Sequence, residues 1–490
     1  MALTDAEEVK VRQVLTAFDS GKTIDQLPIA DTNSPSKYII EGQNVDTGES
    51  VKVPLQDVVT VANSHVATRR WNMKNATPIG EAVGNLDYLR ALPGLLGLGC
   101  YLVQPDRSWK KLDPTNHHRF ADGSPASLDG TMGQYEWCWN AHYYSNWIEG
   151  DYWYEAVSMS PIPGRWNYYI PRGGTSAVGA GIVDRTTNKL VSVVSDDVRY
   201  RGGNNDALKD GKYNTLLGKV TTAATASQFG TWARANGEGW EAGWFVTNTV
   251  VAYLFRIIFG TRNIQTAFNA NKDANGLYQG GLGAGVTNAG SWWANDFSYY
   301  PFVPTSAGVE LGDSCGVSNY DVIGKDGTKV WTAPVPCFFG LKNCYGHVGL
   351  IERGSLMEKK DDGSANFYVA SSMYAAFNIN SVDGLIKAAE CPANSPAGWK
   401  YITRISMQNL CGAPTITTSS ESTGYCDGWY NDNATSGLRA VFRRGYAYYG
   451  ANAGLACVFG SVGVSSSYAD WSSPLCFLAE DVNPVPVWFD

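Results

Sequence analysis

The sequence predicts an α+β protein in which loops carry much of the mass. Short apolar or aromatic runs are broken every few residues by Gly, Asn, Asp, Ser or Pro, as in strands joined by turns. A few stretches have helical spacing, and no repeat of about 20–50 residues occurs, which counts against solenoids, propellers and parallel β-helices. With 490 residues, the chain exceeds one small module of about 100–200 residues.

Composition and charge exclude several classes of protein. Charged residues make up 17% of the chain, below the usual share of about 25%, and the formal net charge is -8. A basic nucleic-acid-binding face is therefore not expected. Hydrophobic residues reach 44%, with 17 Trp and 27 Tyr, which is too apolar for a disordered chain. The fold and function must explain this excess of aromatic residues, together with the 53 glycines.

Two helices are predicted in the body of the chain. Leucines recur every three residues over 85–92, and Pro93 is expected to stop that run. The second helix, 244–260, contains the most apolar window, 250–259, which carries Arg256. This window is shorter than the roughly 20 residues that cross a bilayer, so it predicts a buried helix and no membrane insertion. Strands are predicted at 152–158, 190–194, 367–370, 454–459 and 475–478.

The first sixty residues are predicted to form a separate small unit. A capping box near Thr4 or Asp5 predicts an amphipathic helix that ends at Gly21, and two strand-like runs follow at 37–41 and 50–53. Such a helix plus hairpin buries too little apolar surface to be stable alone. We therefore expect it to dock on a partner or on copies of itself, with packing on the body of the same chain as the alternative. Its acidic start lacks the pattern of a secretory signal.

The sequence motifs do not point to an enzyme. The Gly-rich stretch 276–285 lacks the Lys-Ser/Thr that follows a phosphate-binding loop, so it predicts a turned loop. No GxSxG elbow occurs, and the five histidines are not in HExxH spacing. The adjacent His117 and His118 are assigned to a solvated turn, and the ten cysteines, which lack zinc spacing, to buried thiols. Sequence cannot place two carboxylates at glycosidase separation, so a hydrolase stays an alternative.

The most informative segment begins at Gly428 and mixes two kinds of position. Gly, Ala and apolar residues, such as Gly445, Gly450 and 453–458, are expected in tight turns and buried strands. Aromatic and small polar residues are interleaved with them: Tyr446, Tyr448, Tyr449, Phe459, Ser461, Val462, Ser466, Tyr468, Asp470, Trp471 and Ser472. Tyr and Trp give large contact area at low entropy cost while Ser and Asp adapt their hydrogen bonds, which is typical of a binding paratope. The alternative assigns these aromatics to the core, as we do for the other Trp and Tyr residues, mostly upstream.

From Arg443-Arg444-Gly445 to Phe477 the chain resembles the variable region of proteins diversified by diversity-generating retroelements. In that family a C-type-lectin-like fold displays the varied side chains. Adenine-directed mutagenesis there acts on Asn-type codons and yields Tyr, Phe, Ser, Val and Asp, among others. Those types occupy most of the interleaved positions, whereas Trp471 does not arise from an Asn-type codon by adenine changes alone. The resemblance implies a ligand-binding, loop-rich C-terminal domain with a C-type-lectin-like fold.

Three further resemblances lie upstream. The stretch 340–348 (GLKNCYGHV) is similar to a strand-and-turn element of the formylglycine-generating-enzyme-like branch of the lectin fold, with His347 where that branch has Asn. The catalytic cysteine pair of that branch has no assigned counterpart here, so no catalysis is carried over. The stretch 129–134 (DGTMGQ) looks like a segment found ahead of lectin-like modules in phage tail and fibre proteins. The N-terminal helix and hairpin look like fibre-anchoring segments.

Together the resemblances imply a phage fibre or receptor-binding protein, on the tail or the head, and not an enzyme. Residues 1–70 would be a virion-anchoring segment of helix plus hairpin and 71–215 a mixed β-rich middle region. Residues 216–490 would form the lectin-like receptor-binding domain, with its variable region at about 428–477. Implied alternatives are a bacterial surface adhesin with the same module, or a formylglycine-generating-enzyme-like or glycan-hydrolysing enzyme.

The same resemblances imply the partners and the location. The ligand would be a host cell-surface protein or glycan, and other virion proteins would bind the N-terminus of a homotrimer. Neither nucleic acid nor membrane insertion is expected. No cofactor is expected, and a structural Ca²⁺ is left open. The protein would be assembled in the host cytoplasm and would act on the virion.

Overall fold

A computed structural model describes residues 39–43, 50–54, 65–267, 269–433 and 436–489. This part of the chain is mostly β-sheet with few helices. The helix predicted before Gly21 lies outside the described residues. The two strand-like runs that follow it form an antiparallel pair, Ile39–Gln43 with Ser50–Pro54.

The strands are numbered in chain order. Those in the first part of the chain are β1 (Ile39–Gln43), β2 (Ser50–Pro54), β3 (Ala67–Asn72), β4 (Glu81–Gly84), β5 (Gly99–Val103), β6 (Trp109–Asp113), β7 (Asn116–Phe120), β8 (Gln134–Trp139), β9 (His142–Glu149), β10 (Tyr152–Ser158), β11 (Arg165–Ile170), β12 (Gly173–Ser176), β13 (Ile182–Asp184), β14 (Lys189–Val191), β15 (Trp240–Ala242), β16 (Asn269–Lys272) and β17 (Tyr278–Gln279). Those that follow are β18 (Gly316–Ile323), β19 (Lys329–Phe338), β20 (Leu341–Lys342), β21 (Gly349–Lys359), β22 (Ala365–Val369), β23 (Ile386–Cys391), β24 (Gly398–Ser406), β25 (Ala413–Thr418), β26 (Gly428–Asn431), β27 (Gly437–Arg443), β28 (Val458–Gly463), β29 (Trp471–Ser472), β30 (Leu475–Leu478) and β31 (Val487–Phe489).

Three sheets contain most of these strands. A six-stranded sheet has the order β31-β11-β9-β10-β3-β4 and a seven-stranded sheet the order β15-β30-β12-β8-β5-β6-β7. A nine-stranded sheet runs β23-β22-β21-β27-β28-β26-β24-β25, with β29 paired to β21. The C-terminal strands β30 and β31 return to pair with β12 and β11, so sheet pairing crosses residue 215. The domain boundary predicted there stays a prediction.

One buried helix lies at the centre of the core. The helices are α1 (Leu86–Leu95), α2 (Ala226–Arg234), α3 (Phe245–Phe259) and α4 (Trp292–Phe297). Every residue of α3 is buried, as predicted, and the helix ends at Phe259 before Gly260, which has the left-handed conformation. It shares one hydrophobic core with Tyr144, Trp137 and Met357, which come from the six-, seven- and nine-stranded sheets. No helix in the described residues is both long enough and apolar enough to span a membrane.

The single charged residue of α3 is neutralised inside the core. Arg256 donates two hydrogen bonds to the Glu155 carboxylate on β10, at 2.8 and 2.6 Å. The hydroxyl of Tyr144 donates to the same carboxylate at 2.7 Å. A buried charge is tolerated only when it is paired and hydrogen-bonded. This pairing explains how an arginine can lie in the most apolar window of the sequence.

Two predicted boundaries are wrong. Pro93 does not stop α1, which continues to Leu95, because a proline in the last turn removes only one main-chain hydrogen bond. The strand predicted at 454–459 begins at Val458. Before it, the Asp427 carboxylate accepts a hydrogen bond from the Ala456 amide at 2.8 Å and holds the chain in a turn. The predicted strands 152–158 and 475–478 match β10 and β30, and the ten cysteines are free thiols, nine of them buried.

Candidate functional site

Two arginines fix the start of the variable segment on the core. The guanidinium of Arg443, at the end of β27, donates to the Glu352 carboxylate at 3.0 and 3.1 Å. Arg444 donates to the side chain of Asn248 on α3 at 2.9 Å. Both arginines are buried, so the loop that follows starts from a rigid base.

A tight turn and a buried histidine support the loop that carries the first tyrosines. Gly445 has a φ of 68°, and a Cβ atom there would lie 2.9 Å from the Tyr449 ring, so glycine allows that ring to pack closely. The main-chain carbonyl of His347 accepts a hydrogen bond from the Ala447 amide at 3.1 Å. Burial lowers the pKa of His347 to about 3, so it supports the loop as a neutral residue.

Eight aromatic side chains reach the surface around this loop, and together we call them the aromatic surface: Tyr299, Trp399, Tyr430, Tyr446, Tyr448, Tyr449, Phe459 and Tyr468. The ring centroids of Tyr446 and Tyr449 lie 3.9 Å apart, and those of Trp399 and Tyr449 lie 4.6 Å apart. Tyr430 stacks on Phe459 at 4.3 Å. Such contacts stabilise each ring's position beyond the apolar area that it buries.

Buried aromatic residues connect the outlying members of this surface. Trp293 on α4 lies 6.0 Å from Tyr446 and 6.4 Å from Tyr448, measured between ring centroids. Trp471 lies 4.2 Å from Tyr468 and 4.7 Å from Phe442 of β27. The exposed rings therefore rest on a continuous aromatic layer and not on flexible loops alone.

The predicted binding residues differ widely in exposure. Tyr448 and Tyr468 are exposed, at 50% and 54%. Six others are half-buried: Tyr446, Tyr449, Phe459, Ser461, Ser466 and Asp470. Of the polar ones, Ser461 accepts a hydrogen bond through its hydroxyl oxygen from the Asp432 amide at 3.2 Å.

Three of the predicted binding residues belong to the interior and cannot contact a ligand in this structure. Val462 and Trp471 are buried in the hydrophobic core beside Phe442. Ser472 is fully buried, and its hydroxyl donates to the Thr221 carbonyl at 2.6 Å. Strand pairing of β28 and β29 turns these side chains inward, which their sequence spacing did not reveal.

Burial also sets the protonation of the half-buried groups. It raises the pKa of Asp470 to about 6, because water is partly excluded from the carboxylate. Burial, together with the nearby Asp470 charge, raises the pKa of Tyr446 to about 12. At neutral pH Tyr446 therefore keeps a neutral hydroxyl group, and the Asp470 carboxylate is mostly ionised.

The sequence prediction missed three members of the aromatic surface, namely Tyr299, Trp399 and Tyr430, which it assigned to the core. Tyr299 is 43% exposed, and its ring lies 6.4 Å from that of Tyr448. Trp399 follows the stretch 394–398, whose Asn, Ser, Pro and Gly form a loop signal like that of the variable segment. No comparable signal marks Tyr299, since its contact with Tyr448 joins parts of the chain about 150 residues apart.

A second cluster of polar residues lies inside the protein, where the sequence prediction placed a solvated turn. His117 is buried on β7, with Nδ1 2.6 Å from the Tyr135 hydroxyl and Nε2 2.9 Å from the Asp313 carboxylate. The Lys342 ammonium donates to the same hydroxyl at 2.6 Å. Burial lowers the pKa of His117, so the neutral ring bridges the tyrosine and the aspartate. His118 points the other way and is exposed, as expected for neighbours on a strand.

Three residues of this region carry potential metal-binding atoms. The ligand atoms of Cys100, His117 and Asp313 lie within 4.8 Å of one another, the one such group found in the described part of the chain. Both ring nitrogens of His117 are already hydrogen-bonded. The ammonium of Lys342 donates to the Tyr135 hydroxyl in the same cluster, and a metal cation there would be repelled by it. The arrangement is therefore explained as a hydrogen-bonded core network.

Comparisons with known proteins give little beyond the structure itself. No protein-family model matches the chain, and no curated protein sequence matches it. A solved structure that matches is "Major Tropism Determinant U1 Variant", with 11% sequence identity over 92% of this chain and 98% of that chain. Its TM-score is 0.25, so the match supports no inference about fold or function here.

Proposed function

We propose that the chain is a phage receptor-binding fibre protein that adheres to a host-surface ligand through the aromatic surface. The observation that carries the proposal is the placement of Tyr446, Tyr448, Tyr449, Phe459 and Tyr468 on one aromatic surface over a rigid base. Aromatic residues surrounded by small polar ones are typical of paratopes. The resemblance of this segment to a retroelement-diversified variable region adds to that argument.

We also propose how the protein is assembled on the virion. A C-type-lectin-like domain at 216–490 would present the aromatic surface, and the N-terminal segment would attach to other virion proteins. In a homotrimer, three copies would bind together, so each site could be weak and still give firm attachment. Adhesion of this kind involves no turnover and requires no cofactor.

The direct test is adsorption of the purified protein to cells of the bacterial strain that the particle infects, measured by flow cytometry. The double variant Tyr448→Ala/Tyr468→Ala should reduce adsorption about tenfold or more, as expected when interface anchors are truncated. The free energy of unfolding should change by less than about 1 kcal/mol per site, since both side chains are exposed. Tyr213→Ala, at another exposed tyrosine, is the matched control.

Unchanged adsorption of the double variant would contradict the proposal, and so would a large loss of stability.

The DNA beside the gene provides a separate test of diversification. A near-copy of the codons for 443–477, with Asn codons at the interleaved positions and a reverse transcriptase gene nearby, is expected. Their absence would remove the diversification part of the proposal and leave the binding part to the adsorption test.

A further inference from the structure

A second surface with exposed aromatic residues lies elsewhere, between the six-stranded sheet and the β24–β25 pair. It is a cleft of about 790 Å³, within the usual range of ligand sites of roughly 300–1,000 Å³. Trp166 and Ile148 line it from the sheet, and Thr403 and Ile416 line it from β24 and β25. None of its lining residues belongs to the aromatic surface. We call it the arginine cleft, for the two arginines described below.

Large apolar side chains are exposed in this cleft. Ile148 is 63% exposed, Trp166 56% and Ile416 46%. Trp166 makes an edge-to-face contact with Trp488 of β31, so its ring is held in place while more than half of the residue remains exposed. Grouped exposed apolar residues of this kind usually mark a binding surface.

A buried arginine without a carboxylate partner lies in the same cleft. Arg262 is only 6% exposed, and its Nε atom has no hydrogen-bond partner among the described residues. One of its terminal nitrogens donates to the Thr77 carbonyl at 2.7 Å. The nearby carboxylate of Glu155 is already taken by Arg256. A buried guanidinium left without an anion is costly, so it favours an anionic ligand.

The charge of the cleft has the opposite sign to that of the whole protein. Arg404 lines it, is exposed and makes no hydrogen bond or ion pair with any described residue. No Asp or Glu occurs among the lining residues, although the chain carries a net charge of -8. The cleft is therefore a local positive site next to an aromatic face.

We propose that the arginine cleft binds a saccharide that carries a carboxylate, of the sialic or uronic acid type. The guanidinium groups of Arg262 and Arg404 suit a carboxylate, which pairs with their planar N–H fork. The exposed indole of Trp166 suits the C–H face of a sugar ring. Asn146 and Gln408, which also line the cleft, offer amide groups to ring hydroxyls. This site is separate from the aromatic surface, so its failure would leave the proposed function untouched.

The test is a glycan array of sialylated and uronic-acid-containing oligosaccharides, each printed beside its carboxyl methyl ester. The full-length protein should bind acidic members, and their esters, which have the same shape without the charge, should bind at least about tenfold more weakly. Equal binding of acids and esters would overturn the proposal. So would binding of neither.

Variants locate the binding site. Trp166→Ala and Arg404→Ala should each weaken binding of the acidic oligosaccharides about tenfold, and Arg262→Lys, which keeps the charge but loses the fork, should also weaken it. Arg119→Ala, at another exposed arginine outside both surfaces, should bind as the wild type does. Thermal melts confirm that each variant is folded.

Two results with these variants would overturn the assignment. In the first, Trp166→Ala and Arg404→Ala bind the acidic oligosaccharides as the wild type does. In the second, the array shows no binding, and sedimentation velocity shows that Trp166→Ala converts an oligomer to monomers. The cleft would then be a contact between copies of the chain.

Discussion

The aromatic surface and the arginine cleft are both built from aromatic residues, but in different surroundings. In the aromatic surface the rings pack on one another, as Tyr446 does on Tyr449 at 3.9 Å and Tyr430 on Phe459 at 4.3 Å. In the arginine cleft, Trp166 lies among exposed apolar groups and arginines without carboxylates. The first surface is suited to recognition by shape and apolar contact, whereas the second selects for charge.

This difference shows that aromatic content alone does not identify binding residues. Trp471 and Tyr468 lie three residues apart with ring centroids 4.2 Å apart, yet one is 6% and the other 54% exposed. The partners of each ring decide whether it stabilises the fold or remains available to a ligand. The three predictions below test this distinction, from the largest expected effect to the smallest.

The largest effect on stability is expected at Trp471, the buried residue of the pair Trp471 and Tyr468. Trp471→Ala should lower the free energy of unfolding by about 3–5 kcal/mol, because it removes a large side chain packed on Phe442. Tyr468→Ala should cost less than about 1 kcal/mol. Urea unfolding of both variants measures the difference. A cost at Tyr468 as large as that at Trp471 would mean that the exposed ring is also structural.

A smaller effect, dependent on pH, is expected at Asp470. Its folded pKa of about 6 lies above the usual value of 3.8, so the folded state holds the proton more tightly than the unfolded chain. That stabilising contribution is full below about pH 4 and is lost as the pH rises through about 6. Asp470→Asn should therefore raise the free energy of unfolding by about 1–2 kcal/mol at pH 7 and leave it almost unchanged at pH 4.

Unfolding curves at both pH values check this prediction. Equal effects of Asp470→Asn at pH 4 and pH 7 would show that the carboxylate is not desolvated in the folded protein. Ser461→Ala serves as a control, since that hydroxyl does not titrate in this range and its effect should not depend on pH.

The smallest expected effect is a difference in how binding at the two surfaces depends on ionic strength. Between about 50 and 500 mM salt, the affinity of the arginine cleft for an acidic saccharide should fall a few-fold, because salt screens the exposed charge of Arg404. Adsorption through the aromatic surface should change by less than about twofold over the same range. Calorimetry measures the affinity of the arginine cleft, and flow cytometry measures adsorption through the aromatic surface, at each salt concentration. Equal salt dependence of the two would show that charge does not distinguish these surfaces.

Local patterns allowed several elements to be predicted from the sequence. The apolar run 244–260 with glycine at its end gave α3, and alternating or continuous apolar runs gave β10 and β30. The turn before β28 was missed because it depends on the Asp427 carboxylate, which is distant in sequence from the Ala456 amide. The buried position of His117 was missed because its partners, Tyr135 on β8 and Asp313 in a turn before β18, are distant in sequence.

The sequence by itself determined a loop-rich, aromatic C-terminal segment with exposed tyrosines, since composition and turn residues are local properties. Only the tertiary structure decided that Trp471, Val462 and Ser472 face inward, because side-chain direction follows strand pairing. It also decided that Tyr299 joins the aromatic surface and that Arg262 is left without a carboxylate. Both depend on contacts between residues far apart in the chain, which no local pattern of residues encodes.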